Sequence, residues 1–300
     1  MSEGYKIERI DNEKLKDLLP LYKDAFGKIV SLKYFKDKFD TEVFGAAYIG
    51  YIAYADEMPA AYYGLFPCSV MYEGQVLLCA TSGDTMTHSA HRGKGLFLEL
   101  AKRTYLLAKE SGIKFAFGFP NQNSLKGSID LGWQYKGDHL RMYELKVSTL
   151  PLAKLKKKLG LNQMESNEGQ DFPNSIGVDG QGCVLHDADF FKYKEYSPKS
   201  IQVLVGSRVW MKMDGVLKIG DVERIDNFSI KKFLIELKRF ALWKGISQIQ
   251  FMVSNDTWLD KELSSCLKGI DAFQVGHFHF DSAGMDLSKM KYGMSDLDTF

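Results

Sequence analysis

Cysteine is scarce in this chain of 300 residues: Cys68, Cys79, Cys183 and Cys266 are too few for a disulfide scaffold and have no metal-ligand spacing. An excess of one charge is missing as well. With 39 basic and 38 acidic residues the formal net charge is +1, so no global field draws the chain to nucleic acid or to an anionic membrane. No stretch approaches the ~20 apolar residues that span a bilayer. The polar start, Met1 to Lys6, lacks the apolar run of a secretory leader. These absences predict a cytoplasmic protein with reduced thiols, no metal, no nucleic-acid partner and no membrane partner, and they leave room for a homodimer. Apolar material is ample: 45% hydrophobic residues suffice to bury the core of one large domain or two ordinary ones.

Alternation and spacing predict an order of elements. Tyr5 to Arg9 reads as a strand, and Asp11 caps a helix over Leu15, Leu18 and Leu21 that ends near Gly27. A helix follows from Leu32 to Phe39, then strands from Ala47 to Tyr54, Ala60 to Val70 and Gln75 to Thr87. Leu96 to Lys109 is a long amphipathic helix stopped by Gly112, and Lys114 to Phe119 is a strand. A short helix, Ser124 to Leu131, and a strand, Trp133 to Leu145, complete a mixed α/β unit. Beyond Pro151 the composition shifts to a Lys-rich helix, Leu152 to Leu159, and a polar, Gly-rich segment from Asn162 to Gly182, read as a connector. The remainder reads as a worn repeat. Phe190 to Lys194 echoes Tyr34 to Lys38, and Gly215 to Glu223, Ser229 to Trp243 and Gln248 to Val253 repeat the order strand, helix, strand. The division is 1–148, a connector 149–185, and 186–300.

The sharpest local feature is the turn His91-Arg92-Gly93-Lys94-Gly95-Leu96, placed between a strand and a long helix. Two glycines one residue apart let backbone N–H groups converge with no Cβ in the way, and the helix presents its free N–H groups and positive dipole end. A diphosphate suits that geometry, and Arg92 and Lys94 add charge. A dinucleotide fold fails because Leu98 stands where its third glycine belongs, and a P-loop fails for want of Gly-Lys-Ser/Thr.

The stretch Gly83 to Leu145 resembles the GNAT superfamily of acetyltransferases. Thr87 to Gly95 matches its Thr-x-Pro-x-Tyr-Arg-Gly-Lys-Gly form, with Ser89 for proline, Ala90 at the Gln/Arg position and His91 for tyrosine. Asn121 and the later Gly132-Trp133 match the family's asparagine and Gly-Phe pair, and with the upstream elements the likeness covers residues 5 to about 145. The resemblance implies a mixed, mostly antiparallel sheet flanked by helices, followed here by a degenerate second GNAT-like domain.

It also implies a chemistry: transfer of an acetyl group from acetyl-CoA to a primary amine of a small molecule, by direct attack in a ternary complex. Thr85, Met86, Thr87 and His88 would supply backbone groups for pantetheine and the thioester carbonyl. Arg92, Gly93, Lys94, Gly95, Leu96 and Asn121 complete the CoA site. Asp84, Met86 and His88 share a strand face, which makes Asp84 the first candidate base and His88 the second. The family's proton-donating tyrosine is replaced by Ser128, so Tyr135, another tyrosine or water takes that work. Around Phe119 to Ser124 the likeness extends to bacterial GNAT proteins of surface polysaccharide synthesis, which suggests an amino sugar. In the second half Glu223 and Asp226 stand where phosphates would sit, so that half should buttress the first and wall the acceptor cleft. Two alternatives stay open: a non-catalytic CoA-binding regulatory module, and an aminoacyl or peptidyl transferase of the tandem GNAT-like type.

Overall fold

The computed structural model describes residues 4–135, 139–147, 172–197, 199–282 and 284–300. Asp11 Oδ1 accepts the N–H groups of Glu13 and Lys14 at 3.0 and 2.9 Å, turning the chain out of β1 (Lys6–Arg9) towards α1 (Leu18–Phe26). Gly27 ends α1 at φ 66°, and Ser31 caps α2 (Leu32–Phe39) by accepting the Tyr34 N–H at 3.1 Å. The strands β2 (Ile49–Ala55), β3 (Met58–Tyr72) and β4 (Gln75–Thr87) form antiparallel hairpins. Their tight turns put Asp56, Glu57, Glu73 and Gly74 at positive φ, as a right-twisted ribbon requires.

α3 (Leu96–Glu110) then crosses back so that β5 (Phe115–Gly118) runs parallel to β4. Leu96, Leu100, Thr104 and Ala108 recur once per turn on its buried face. They pack among Ala53, Ala61, Ala80 and Ala116, whose small side chains let the helix lie close to the sheet.

After β5 the chain does not stay with one sheet. α4 (Gln122–Asp130) leads to Gln134, which bridges to His277, and then to β6 (His139–Lys146), which pairs antiparallel with β11 (Gln248–Ser254) of the second sheet. The short β7 (Cys183–Val184) joins β3. The second sheet also holds β8 (Ser200–Leu204), β9 (Ser207–Asp214), β10 (Val216–Val222) and β12 (Gly269–Gln274). A helix, Ile230–Lys244, makes β10 and β11 parallel neighbours, as α3 does for β4 and β5. β13 (Gly276–His279) returns to pair with β5.

Among the described residues the strand orders are β1-β2-β3-β4-β5-β13, with β7 attached to β3, and β12-β6-β11-β10-β9-β8. Each sheet is mostly antiparallel with one parallel pair, so the expected mixed architecture and the repeat of strand, helix, strand are both present.

Two sequence expectations need correction. The strand expected over Trp133 to Leu145 breaks, its body lying in the second sheet while β13 takes the place beside β5. A division at residue 148 therefore separates the chain by order but not by sheet. The predicted connector is also not all linker: Phe172, Ile176, Cys183 and Val184 are buried in the core. The predicted helix Leu152 to Leu159 lies outside the described residues.

Candidate active site

The turn after β4 is built as the sequence predicts. His88 Nδ1 accepts the Ala90 N–H at 3.2 Å, and Ser89 donates its N–H and Oγ–H to Asp24 at 2.8 and 3.0 Å, which closes one 3₁₀ turn. Gly93 and Gly95 follow at φ 75° and 76°, and a Cβ on either would meet no atom within 4 Å: the backbone faces open space. Gly95 is the N-cap of α3, and no side chain caps that helix end, so its first N–H groups are left for an anion. A groove between Gly4, Tyr5, Ala55, His91, Lys94 and the two glycines lies over this turn. The exposed Arg92 side chain donates its Nε–H to Thr87 O at 3.4 Å. Leu96 is itself buried, so what it offers a phosphate is its backbone.

Upstream, β4 and β5 pair at Ala80↔Ala116 and Thr81↔Phe117 and then part. A bulge in β4 sets Asp84 and Thr85 opposite Tyr63 of β3, between the pairs Tyr62↔Met86 and Gly64↔Gly83, and Asp84 takes φ 47° there. The opening is a cavity of about 400 Å³ bordered by Ser82 to Thr85 on one side and Phe119 and Asn121 on the other. Asn121 Oδ1 accepts the Ser124 N–H at 3.2 Å, so Asn121 both caps α4 and edges the cavity. Of the strand positions expected to serve the thioester, Thr85 borders the cavity, whereas the Met86 side chain is buried against α1 and α2.

The candidate bases separate. Asp84 is buried, and Lys38 Nζ donates to its Oδ2 at 2.7 Å, with Asp298 Oδ2 3.5 Å from the same ammonium. Burial raises the Asp84 carboxyl, against the pull of Lys38 and with the help of Asp298. For Lys38 burial works the other way, but the two carboxylates overcome it and hold the amine protonated well above the lysine norm. Two carboxylates around one ammonium leave one negative charge beside the cavity. His88 does not join them: it caps the turn, faces Asp24 at 3.7 Å and does not border the cavity.

Ser128 and Tyr135 do meet. Ser128 Oγ donates to Leu125 O at 2.7 Å, which leaves the Tyr135 hydroxyl as donor in their 2.5 Å contact. Both border the cavity, and burial raises the Tyr135 phenol above its ordinary range, so it is protonated at neutral pH.

Sequence reading missed Lys38, Asp298 and Phe273. Lys38 carried a signal, since it falls in the buried stripe Phe35, Lys38, Phe39 of α2 where an apolar residue belongs. Asp298 and Phe273 come from the far end of the chain, and no local pattern links them to β4. They and Thr299 line the same cavity as β4. Among the described residues no group of three His, Cys, Asp or Glu could hold a metal, and no helix is long and apolar enough to cross a membrane.

Residues 6–135 match the family model of the acetyltransferase (GNAT) domain. No curated protein matches the chain. Among solved structures the chain is similar to a conserved protein of unknown function from Enterococcus faecalis V583, described as a probable N-acyltransferase: TM-score 0.64, 12% identity, 93% of this chain and 73% of that one. It is also similar to a GCN5-related N-acetyltransferase from Kribbella flavida (TM-score 0.61, 10% identity, 93% and 71%). A third, from Anabaena variabilis ATCC 29413, gives TM-score 0.57 at 12% identity over 92% and 73%. At such identities these structures establish the shared fold, extending over both sheets. The family match thus covers residues 6–135, the part of the chain that carries β4, the glycine turn and α3.

Proposed function

We propose that this protein transfers an acetyl group from acetyl-CoA to a primary amine of a small molecule, by direct attack in a ternary complex in the cytoplasm. One observation carries the reading: β4 parts from β5 beside a cavity and runs straight into an open glycine turn at the uncapped start of α3. The turn suits a diphosphate, and the parted strand suits a pantetheine arm whose thioester ends near Thr85. The work of the chain is then positioning and stabilisation of negative charge on the thioester oxygen by backbone N–H groups of Thr85 to Thr87. The carboxylate pair around Lys38 accepts a proton from the amine, and the Tyr135 phenol, oriented by Ser128, protonates the departing sulfur. Contact between Tyr135 and Ser128 favours catalysis over the regulatory alternative, because it supplies the acid that position 128 lacks.

Isothermal titration of the full chain with acetyl-CoA tests this. Gly93→Val puts a β-branched side chain at φ 75° in the phosphate groove, and affinity should fall at least about tenfold. Equal affinity in the variant would sink the reading.

A further inference from the structure

Resting on the acyl-transfer reading, we infer that the acceptor is a monoamine carried on a flat apolar body, its ammonium received by Asp298, which takes the proton before attack. Much of the cavity lining is rings with one aliphatic side chain: Tyr22 and Phe26, with centroids 4.8 Å apart, then Phe97, Phe119, Phe273 and Leu297. Such a wall offers little to the many hydroxyls of a sugar, which would lose their water without replacement. Polar side chains such as Thr85, Asn121, Ser124 and Ser128 come from β4 and the α4 region.

The charge count is equally selective. Asp84 and Asp298 around Lys38 leave one net negative charge, enough for one ammonium, while Lys28 on the same cavity repels a second. Within the pair the roles divide by access. The Asp84 side chain is 5% exposed and held by Lys38 at 2.7 Å; that of Asp298 is 18% exposed and stands 3.5 Å from the ammonium. The Asp298 carboxylate also occupies the space that a side chain at Gly83 would fill, which sets it against β4 where the strands part. It is held there from behind: Lys194 donates to Leu297 O at 2.7 Å, Tyr196 to Asp298 O at 2.8 Å and Lys212 to Thr299 O at 2.7 Å.

The step balances. One proton passes from the ammonium to Asp298 and on to solvent. The freed lone pair forms the C–N bond at the thioester carbonyl, and the C–S bond breaks with its electron pair on sulfur. Tyr135 gives sulfur a proton and regains one from the new amide nitrogen. The sum is amide, free thiol and one proton.

The test is thiol release by the full chain from acetyl-CoA with 2-phenylethylamine, glucosamine or spermidine, beside acetyl-CoA affinity by titration. Phenylethylamine should lead in kcat/KM by at least about tenfold, the scale on which apolar pockets discriminate. Asp298→Asn should lower kcat/KM about 10²-fold and abolish the acidic limb of its pH profile, with acetyl-CoA affinity unchanged. Gly83→Ala, which displaces the carboxylate without removing it, should raise KM for the amine. Preference for glucosamine or spermidine, or an Asp298→Asn protein with the wild-type pH profile, would overturn the inference while leaving acyl transfer standing. Failure to bind acetyl-CoA at all would overturn the acyl-transfer reading and this inference with it.

Discussion

A serine hydroxyl is far too weak an acid to protonate a departing thiolate, so under the proposed acyl transfer Ser128 creates a deficit that another residue has to meet. Tyr135, seven residues on, reaches the same place and donates to Ser128. Tyr135→Phe should therefore lower kcat by about 10²-fold, the usual range for loss of a general acid, and leave acetyl-CoA affinity unchanged. Single-turnover measurement checks it; an unaltered rate would assign the proton to water. Among candidate site residues, Gly93, Gly95 and Asn121 were legible because turn geometry and helix capping act over a few residues. The base was not. Asp84 was visible on β4, but its engagement by Lys38, 46 residues away, and by Asp298 depends on contacts that no short-range pattern encodes.

At the scale of elements, the strand, glycine turn and long helix were read from sequence almost to the residue, because amphipathic spacing and glycine conformations are local properties. Strand partners are chosen otherwise. The alternation of Trp133 to Leu145 shows that a strand forms; it does not say which sheet receives it. The last turns of the chain, which carry Leu297 and Asp298 into the cavity, are held by buried His186. Its Nε2 is 3.0 Å from Asp296 Oδ1 and its Nδ1 3.6 Å from Asp221 Oδ2, with Phe190 stacked on the ring at 4.7 Å. Burial disfavours the charged imidazole, but the two aspartates outweigh it and push the pKa up to about 9. A base whose folded pKa exceeds its unfolded value adds stability in full below about pH 6.5, and this is lost as pH rises through 9, in all about 3 kcal/mol. Lys194, pulled down to about 7 by burial, acts in the opposite direction over part of that window, so the comparison is wild type minus variant. Chemical unfolding should give His186→Gln a deficit that is large at pH 6 and shrinks by pH 9.5; a constant deficit would show that His186 carries no proton.

At the scale of the molecule, the exchange of strands decides how the halves behave. β6 from the first half lies in the second sheet, and β13 from the second half completes the first. One shared cluster mixes Phe115 and Phe117 of one sheet with Leu140, Trp210 and Met252 of the other, closed by Phe300. The shared cluster needs both halves, so thermal unfolding should be one transition, coincident by tryptophan fluorescence and far-ultraviolet circular dichroism. Two separated transitions would show that the sheets are independent.

The sequence by itself determined most of the elements and the glycine turn before α3, since propensity, periodicity and glycine geometry operate within a few residues of chain. Only the tertiary structure decided which strands pair, that the Tyr135 hydroxyl meets Ser128, and that Asp298 enters a cavity begun more than two hundred residues earlier. Those outcomes depend on burial and charge brought together across the whole chain, and such contacts leave no mark on local pattern.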